Sequence, residues 1–431
     1  MIDTIFALSS GRPPAGIAII RISGPQAFDI HTRFCRLNAL PEVRRATLVS
    51  VVDPVSGHLL DRALALIFAG PHSVTGEDMV EWHCHGGHAV VQAVLHALRN
   101  DSVARDADAG EFTRRAFENG RIDLNEAEGL ADLLAAETET QRRAALAMAD
   151  GHFSRRVEGW RSALLELSAQ VEAVLDFSDE DDVAGEGMQD VIASGLAVLA
   201  QEARAHLALP SAERLRDGIR TVIAGPPNAG KSTLLNALAG REAAIVSDIA
   251  GTTRDRIEVP VSMGGISFLL TDTAGLRDDS TDSIEAIGMD RARSAVEQAD
   301  IVLWLGPSQK CPRIDAVRIA AQCDRQRPER EEDYDLLLSA VTGEGMAGLV
   351  DRLVVMAQDI VQPEAEYALH QRQRDAVRVL REALDAALAT ADALLIAENL
   401  RIARGAMDRL TGRAGVEDML DSLFGRFCIG K

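Results

Sequence analysis

Gly225-Pro226-Pro227-Asn228-Ala229-Gly230-Lys231-Ser232 decides the fold of the middle of this chain. It follows a β-like apolar run, Thr221–Ala224, and opens a helical run, Thr233–Leu238. A Gly-rich turn between a strand and a helix, closing on Lys-Ser, is the phosphate-loop pattern. Small residues let successive backbone N–H groups wrap a β-phosphate, and the helix N-terminus behind them adds its positive end. Lys231 supplies a cation to the β- and γ-phosphates, and the Ser232 hydroxyl suits Mg²⁺. The stretch therefore predicts a nucleoside triphosphate site in a domain of alternating strands and helices.

Outward from this loop, the α/β texture runs from Gly218 to Val361, with further strand candidates at Ile257–Val261, Ser267–Thr271, Ile301–Leu305 and Tyr334–Leu338. Three segments follow in the order that P-loop GTPases need. Gly251-Thr252-Thr253-Arg254-Asp255 comes after the first helix, and Thr253 can complete a magnesium shell. Asp272-Thr273-Ala274-Gly275 ends a strand, so Asp272 can reach the metal through water and the Gly275 N–H can sense a γ-phosphate. Ser339-Ala340-Val341 ends another strand, where a backbone N–H can meet the guanine O6. Each segment alone is weak, and the ordered set is specific.

Two positions depart from the GTPase pattern. Guanine is read by Asn-Lys-x-Asp, and the matching stretch here is Ala321-Gln322-Cys323-Asp324. Asp324 can still take the guanine N1 and N2 hydrogens as a charge-assisted pair. Ala321 offers no amide, and Gln322 lacks the lysine stem, so weaker affinity and weaker discrimination against ATP are expected. The residue after Gly275 is Leu276, which cannot polarise water as a glutamine there does.

The flanks are different in kind. Up to about residue 118, short β-like runs such as Ile17–Ile22 and Ala63–Phe68 alternate with Gly/Pro clusters. Ala127, Leu130, Ala131 and Leu134 then fall at helical spacing, as do Trp160, Leu164, Leu167 and Val171, and, beyond Pro363, Val377, Leu380, Leu384 and Leu388. An acidic stretch, Asp176 to Glu186, reads as a solvated loop or helix end. Two similar helical flanks around an α/β segment predict one helical domain interrupted by an insert. The expected boundaries are an N-terminal α+β domain at 1–118, helical parts at 119–216 and 363–431, and the P-loop domain at 217–362.

Composition limits the function. The 431 residues are 47% hydrophobic and 26% charged, in the range of a globular chain of two or three domains. A net charge of −21 argues against a protein that grips nucleic acid by phosphate neutralisation alone. Five scattered cysteines without paired spacing give no disulfide or zinc framework. With no signal-peptide layout and no apolar run of membrane-spanning length, a cytoplasmic protein is expected. His83-Cys84-His85 resembles a metal site, but Cys84 would face away from the two histidines on a strand, and no second ligand pair stands at zinc spacing.

With these residues in view, the chain resembles the MnmE (TrmE) tRNA-modification GTPases over essentially its whole length. Four motifs carry the likeness: Pro227-Asn228-Ala229-Gly230-Lys231-Ser232, Asp248-Ile249-Ala250-Gly251-Thr252-Thr253-Arg254-Asp255, Asp272-Thr273-Ala274-Gly275-Leu276-Arg277, and the terminal Phe427-Cys428-Ile429-Gly430-Lys431. Gly110-Glu111-Phe112-Thr113, with Ala116-Phe117, Asn119-Gly120 and Asp123-Leu124, adds to them. The resemblance implies a Ras-like G domain inserted into a discontinuous helical domain behind an α+β domain that dimerises and binds folate. It implies GTP hydrolysis with Mg²⁺ held by Ser232 and Thr253. It also implies K⁺ in the place of an arginine finger, held by Asn228 and by Ser247, Ile249 and Thr252 of the loop Ser247 to Thr252.

Beyond these, Thr233, Asp248, Ala250 and Gly251 would line the nucleotide. Catalysis would rest on Lys231, Asp272 and Glu285 of Ile284-Glu285-Ala286-Ile287-Gly288, the last orienting water. A 5,10-methylene- or 5-formyl-tetrahydrofolate would meet Arg21, Glu81, Arg121 (where lysine is usual) and Lys431. Cys428 is the one candidate reactive thiol. The implied partners are a second copy of the chain, a flavin-dependent MnmG-type protein that brings FAD into a heterotetramer, and tRNA, whose wobble uridine would gain a carboxymethylaminomethyl or aminomethyl group at C5. A ribosome-assembly GTPase switch without base chemistry is the rival reading, and a folate-binding scaffold that is a poor NTPase is another. The first would call for a basic RNA-binding module, which an acidic chain does not supply.

Overall fold

The computed structural model describes residues 3–176, 186–241, 243–244, 258–273, 293–361, 366–412, 417–425 and 427–431. They form two compact units, Met1–Ala131 with Asp408–Lys431, and Asp132–Met407.

The first unit is built on a six-stranded sheet. Its strands are β1 (Thr4–Leu8), β2 (Ile17–Ser23), β3 (Thr47–Val52), β4 (Leu59–Phe68), β5 (Met79–His85) and β6 (Ala104–Asp106), in the order β3-β4-β5-β2-β1-β6. All neighbours are antiparallel except β1 and β6. The period-2 alternation of a strand separates two faces. Ala18, Ile20 and Ile22 of β2, with Val80, Trp82 and Cys84 of β5, point into a core closed by the helices Ala27–Cys35 and His88–Asp101. Arg21, Glu81 and His83 take the alternate positions, on the other face. There Phe112 of the helix Glu111–Glu118 packs with Ile5 and Ala7. A satellite cluster joins Leu124 and Ala127 to Leu420, Phe424 and Phe427, so the C-terminal end of the chain packs within this unit.

One polar group sits inside the first core. Trp82 Nε1 donates to His31 Nδ1 at 2.9 Å, which leaves the ring proton on Nε2. His31 is fully buried, and that burial holds its pKa down at about 4 against an ordinary 6.5. The neutral ring is favoured in the fold, whereas the unfolded chain takes up its proton near pH 6.5. The contribution is thus complete above pH 6.5 and is lost as pH falls to about 4, by up to about 3 kcal/mol. Urea midpoints at pH 7 and pH 4.5 should show this extra acid loss in the wild type and not in His31→Gln; equal losses would refute the assignment.

The second unit holds a seven-stranded sheet. Its strands are β7 (Ile219–Ala224), β8 (Ala243–Ala244), β9 (Glu258–Met263), β10 (Ile266–Asp272), β11 (Ile301–Trp304), β12 (Val317–Ala320) and β13 (Leu336–Leu337), in the order β13-β12-β11-β7-β10-β9-β8. From β13 to β10 all neighbours are parallel, and β9 and β8 add on antiparallel. Parallel strands buried on both faces read as continuous apolar runs, which is how three of the five expected strands, β7, β10 and β11, announce themselves; the fourth, expected at Ile257–Val261, is the antiparallel β9. The fifth, expected at Tyr334–Leu338, is reduced to two residues. A 3-10 turn, Glu331–Asp333, precedes it, and Asp335 spends its carboxylate on the backbone and guanidinium of Arg318. One sheet face is covered by the helices Lys231–Arg241 and Met346–Val361. On the other, a smaller cluster gathers Val222, Ala224 and Val302 under Val296 and Ala299.

Around this domain lie the helices Glu139–Ala149, His152–Asp176, Glu186–Leu207 and Gln371–Leu388. Trp160, Leu164, Leu167 and Val171 are all buried, as the spacing predicts. Val377, Leu380 and Leu384 are buried too, but Leu388, the last residue of its helix, is 38% exposed. The chain enters and leaves the α/β domain side by side. Ala212 N donates to Leu369 O (3.0 Å), Leu369 N to Pro210 O (3.2 Å), and His370 Nε2 meets Asp132 at 2.7 Å. Adjacent entry and exit are the geometry of an inserted domain. Among the described residues no helix is long and apolar enough to cross a membrane.

Candidate nucleotide site

The loop 225–232 leaves β7 at Ala224, whose carbonyl accepts from Leu305 N (2.7 Å) at the end of β11. A Cβ on Gly225 would lie 2.9 Å from the Leu305 carbonyl oxygen, so a side chain there would force the two strand ends apart. Asn228 (φ 62°) and Gly230 (φ 92°) hold left-handed backbone that curls the loop. Lys231 is buried, and its Nζ donates to Gly225 O (3.2 Å) and Pro226 O (3.0 Å), folding the cation over the concave side. Ala229, Ser232 and Thr233 follow at the mouth of the loop, the last two exposed at the start of the helix.

The parallel pairing of β10 with β7 places Asp272 opposite Ile223. Asp272, almost wholly buried, accepts a hydrogen bond from Ser232 Oγ at 2.5 Å. A hydroxyl and a carboxylate converging beside a phosphate loop are hard oxygen donors of the kind Mg²⁺ takes. Thr273 Oγ1 donates back to Ile223 O (3.1 Å) and locks the end of β10 against β7.

The two segments expected to meet the base also converge. β12 ends at Ala320 and runs into Ala321-Gln322-Cys323-Asp324. Cys323 N donates to Leu338 O (3.2 Å), and Gln322 bridges to Ser339. Ser339 is buried, with its N–H on Glu344 O (2.9 Å) and its hydroxyl accepting from Thr342 N (3.2 Å). Ala340 is half-buried, Val341 and Asp324 are exposed, and Gln322 Nε2 donates to Asn228 O at 3.0 Å. A cavity of about 680 Å³ opens beside the loop, lined by Asn228, Lys231, Thr273, Trp304 and Arg313. Ser247, Asp248, Ile249, Ala250, Gly251, Thr252, Thr253, Ala274, Gly275 and Glu285 lie outside the described residues.

In the first unit, Arg21 and Glu81 are register partners on β2 and β5, and their side chains meet at 2.9 Å. The Arg21 guanidinium also lies 5.5 Å from the centroid of Phe112. Arg121 is exposed, its stem beside Gly76 and its N–H on Ala116 O (2.8 Å). The terminal residues pair with the unit through Ile429 and Ala109, and Gly430 presses on the carbonyl of Leu8. Cys428 is exposed, whereas burial pushes the Cys35 and Cys84 thiols up to about 12. His85 pairs with Asp61 (2.8 Å), and Cys84 faces the core.

Residues 4–121 match the family model described as the GTP-binding protein TrmE N-terminus, and residues 124–428 match the MnmE helical domain. The chain belongs to the MnmE family. Curated relatives named tRNA modification GTPase MnmE include that of Rhizorhabdus wittichii, 59% identical over 100% of this chain and 97% of the relative. Those of Novosphingobium aromaticivorans (52%, all of both chains) and Zymomonas mobilis (51%, 99% of this chain and all of the relative) match likewise. This MnmE-family chain is a GTP hydrolase, with its P-loop G domain inserted into the helical domain.

Two features of this member escape a reading of motifs. One is the Gln322–Asn228 bond, whose residues stand 94 positions apart. The other is Arg115, buried among Asp3, Glu77 and Glu111. Phe112-Thr113 and Ala116-Phe117 frame Arg115 in sequence, but nothing local names its partners.

Proposed function

We propose that this chain is a potassium-activated GTP hydrolase that modifies tRNA at C5 of the wobble uridine, as a homodimer working with a flavin-dependent MnmG-type partner in a heterotetramer in the cytoplasm. The observation that carries this reading is the end-to-end match to tRNA modification GTPases, including a relative 59% identical. The domain reading is an α+β part at 1–118, helical parts at 119–216 and 363–431, and a G domain at 217–362.

The residues expected at the site have the donor chemistry that this activity requires. Ser232 and Thr253 would hold Mg²⁺ with Asp272 behind them, and the closeness of Ser232 to Asp272 supports that set. Asn228, exposed on the loop, would hold K⁺ with Ser247, Ile249 and Thr252; amide and carbonyl oxygens suit a weakly hydrated monovalent cation. Bound there, the cation supplies positive charge to the phosphates. Lys231 adds its own, Glu285 orients the attacking water, and Asp324 reads guanine together with a backbone N–H of Ser339-Ala340-Val341, that of Ala340 or Val341, since the Ser339 N–H is held by Glu344 O. The paired Arg21 and Glu81, with Arg121 and Lys431, would bind a tetrahydrofolate that donates the one-carbon unit; guanidinium and ammonium suit its glutamate, and a carboxylate suits the pterin amino edge. Cys428, exposed at the terminus, is available for chemistry there.

The test has two arms. An arginine finger, whose place K⁺ would take, is worth on the order of 10³–10⁵ in rate, so GTP turnover should fall at least about tenfold when Na⁺ replaces K⁺. Wobble-uridine modification should vanish from the tRNA of a strain lacking this gene and return with it. Equal turnover in both salts, or unchanged tRNA, overturns the corresponding part.

A further inference from the structure

We propose that Gln322 is a positioning residue that ties the base-reading segment to the phosphate loop, setting affinity for the phosphates without reading the base. The inference rests on the nucleotide site proposed above. Its geometry is a single directed bond, from the Gln322 side-chain amide to the Asn228 carbonyl at 3.0 Å. The same amide lies over Gly230, 3.3 Å from where a Cβ would stand, so a side chain at 230 would crowd it.

The bond matters because of the peptide it grips. Asn228 is one of four non-glycine residues with positive φ among the described ones, a conformation that asparagine tolerates but does not prefer. The peptide between Asn228 and Ala229 is planar and trans, so its C=O and N–H point in opposite directions. With the carbonyl held by Gln322, the Ala229 N–H must face the other way. It does, towards Pro226 O at 3.3 Å, the carbonyl that also accepts from Lys231 Nζ. That is the concave side, where the phosphate loop would take a phosphate. A long bond of this kind is readily exchanged for a charged acceptor.

Gln322 is equally anchored from behind. Its backbone bridges to Ser339, and the next residue, Cys323, donates to Leu338 O. The amide thus carries the rigidity of the β12–β13 edge into the loop. Ala321 has no polar side-chain atom to share this task, so in this chain the link falls to Gln322.

Gln322→Met keeps length and loses the donor; Gln322→Lys restores one. Equilibrium binding of fluorescent GDP and ADP to the full chain should show Gln322→Met weakened about tenfold for both, the scale of a hydrogen bond that orders a charged contact. The GDP-to-ADP ratio should stay within about twofold, and Gln322→Lys should bind at least as tightly as wild type. Asp324→Ala should instead change the ratio. Unchanged affinity in Gln322→Met, a shifted ratio, or failure of lysine to restore binding overturns the inference. A wild-type chain that binds no GDP overturns the nucleotide reading itself, which keeps the two failures apart.

Discussion

Lys231→Ala should lower GTP turnover at saturation on the order of 10²–10³-fold while leaving the fold intact. Lys231 carries the positive charge on the concave side of the loop, and burial beneath Gly225 O and Pro226 O means that it arrives there already partly desolvated. A fixed charge in a water-poor site needs little reorganisation as negative charge migrates during phosphoryl transfer, and losing one such donor costs about this much. Backbone N–H groups and the helix N-terminus remain in the variant, so GDP affinity should fall far less than turnover. Lys231→Arg should not rescue, because a planar fork cannot be seated on two carbonyls spaced for a compact ammonium. Single-turnover hydrolysis beside GDP binding makes the comparison. A variant whose affinity falls as much as its rate would assign Lys231 to ground-state binding instead.

The sequence made the nucleotide site legible where chemistry is local. Gly225 to Ser232 needs a strand before it and a helix after it, and both stand directly beside the loop. Asp272 was legible because it ends an apolar run, and the parallel pairing of β10 with β7 then brings it to Ser232. Contacts set by register between distant strands left no such trace. Gln322 reads as a damaged lysine position until β12 is laid beside Ser339, when its amide proves to be within reach of the loop. The expected strand at Tyr334–Leu338 fails for the converse reason. Its apolar residues predict pairing, but Asp335 is consumed by Arg318, and only Leu336–Leu337 remains in the ladder. Leu388 shows the limit of helical spacing: the period continues to the end of the helix, but the packing surface stops before it.

Arg115→Met should destabilise the N-terminal unit by about 3–5 kcal/mol, although Arg115 is not among the residues proposed to hold either ligand. Arg115 is 7% exposed, and its Nη1 donates to Asp3 O (2.7 Å) and Glu77 Oε2 (3.1 Å), while Nη2 donates to Asp3 Oδ1 and Glu111 Oε1, both at 2.8 Å. Glu77 is held in turn by Ser23 Oγ at 2.7 Å, so the cluster reaches the same strand, β2, that carries Arg21. Burial alone would raise the Glu111 pKa, but Arg105, the Asp108 N–H and Arg115 together hold it below the ordinary range. Removing the guanidinium leaves Glu77, 12% exposed, without its charge partner, while Glu111 and the half-exposed Asp3 keep Arg105; stranding that one buried carboxylate costs more than the pair gains when complete. Lysine should not substitute, since one ammonium cannot meet three carboxylates from a planar fork's positions. Arg45→Ala is the control, because its ion pair with Glu42 is exposed on both sides and should be worth less than about 1 kcal/mol. Urea unfolding of the full chain with Trp160 and Trp304 replaced by Phe, so that Trp82 alone reports on its unit, makes the comparison. Equal small losses in the two variants would show the Arg115 cluster to be no more than a surface network, and the face that carries Arg21 and Glu81 would then need another source of rigidity.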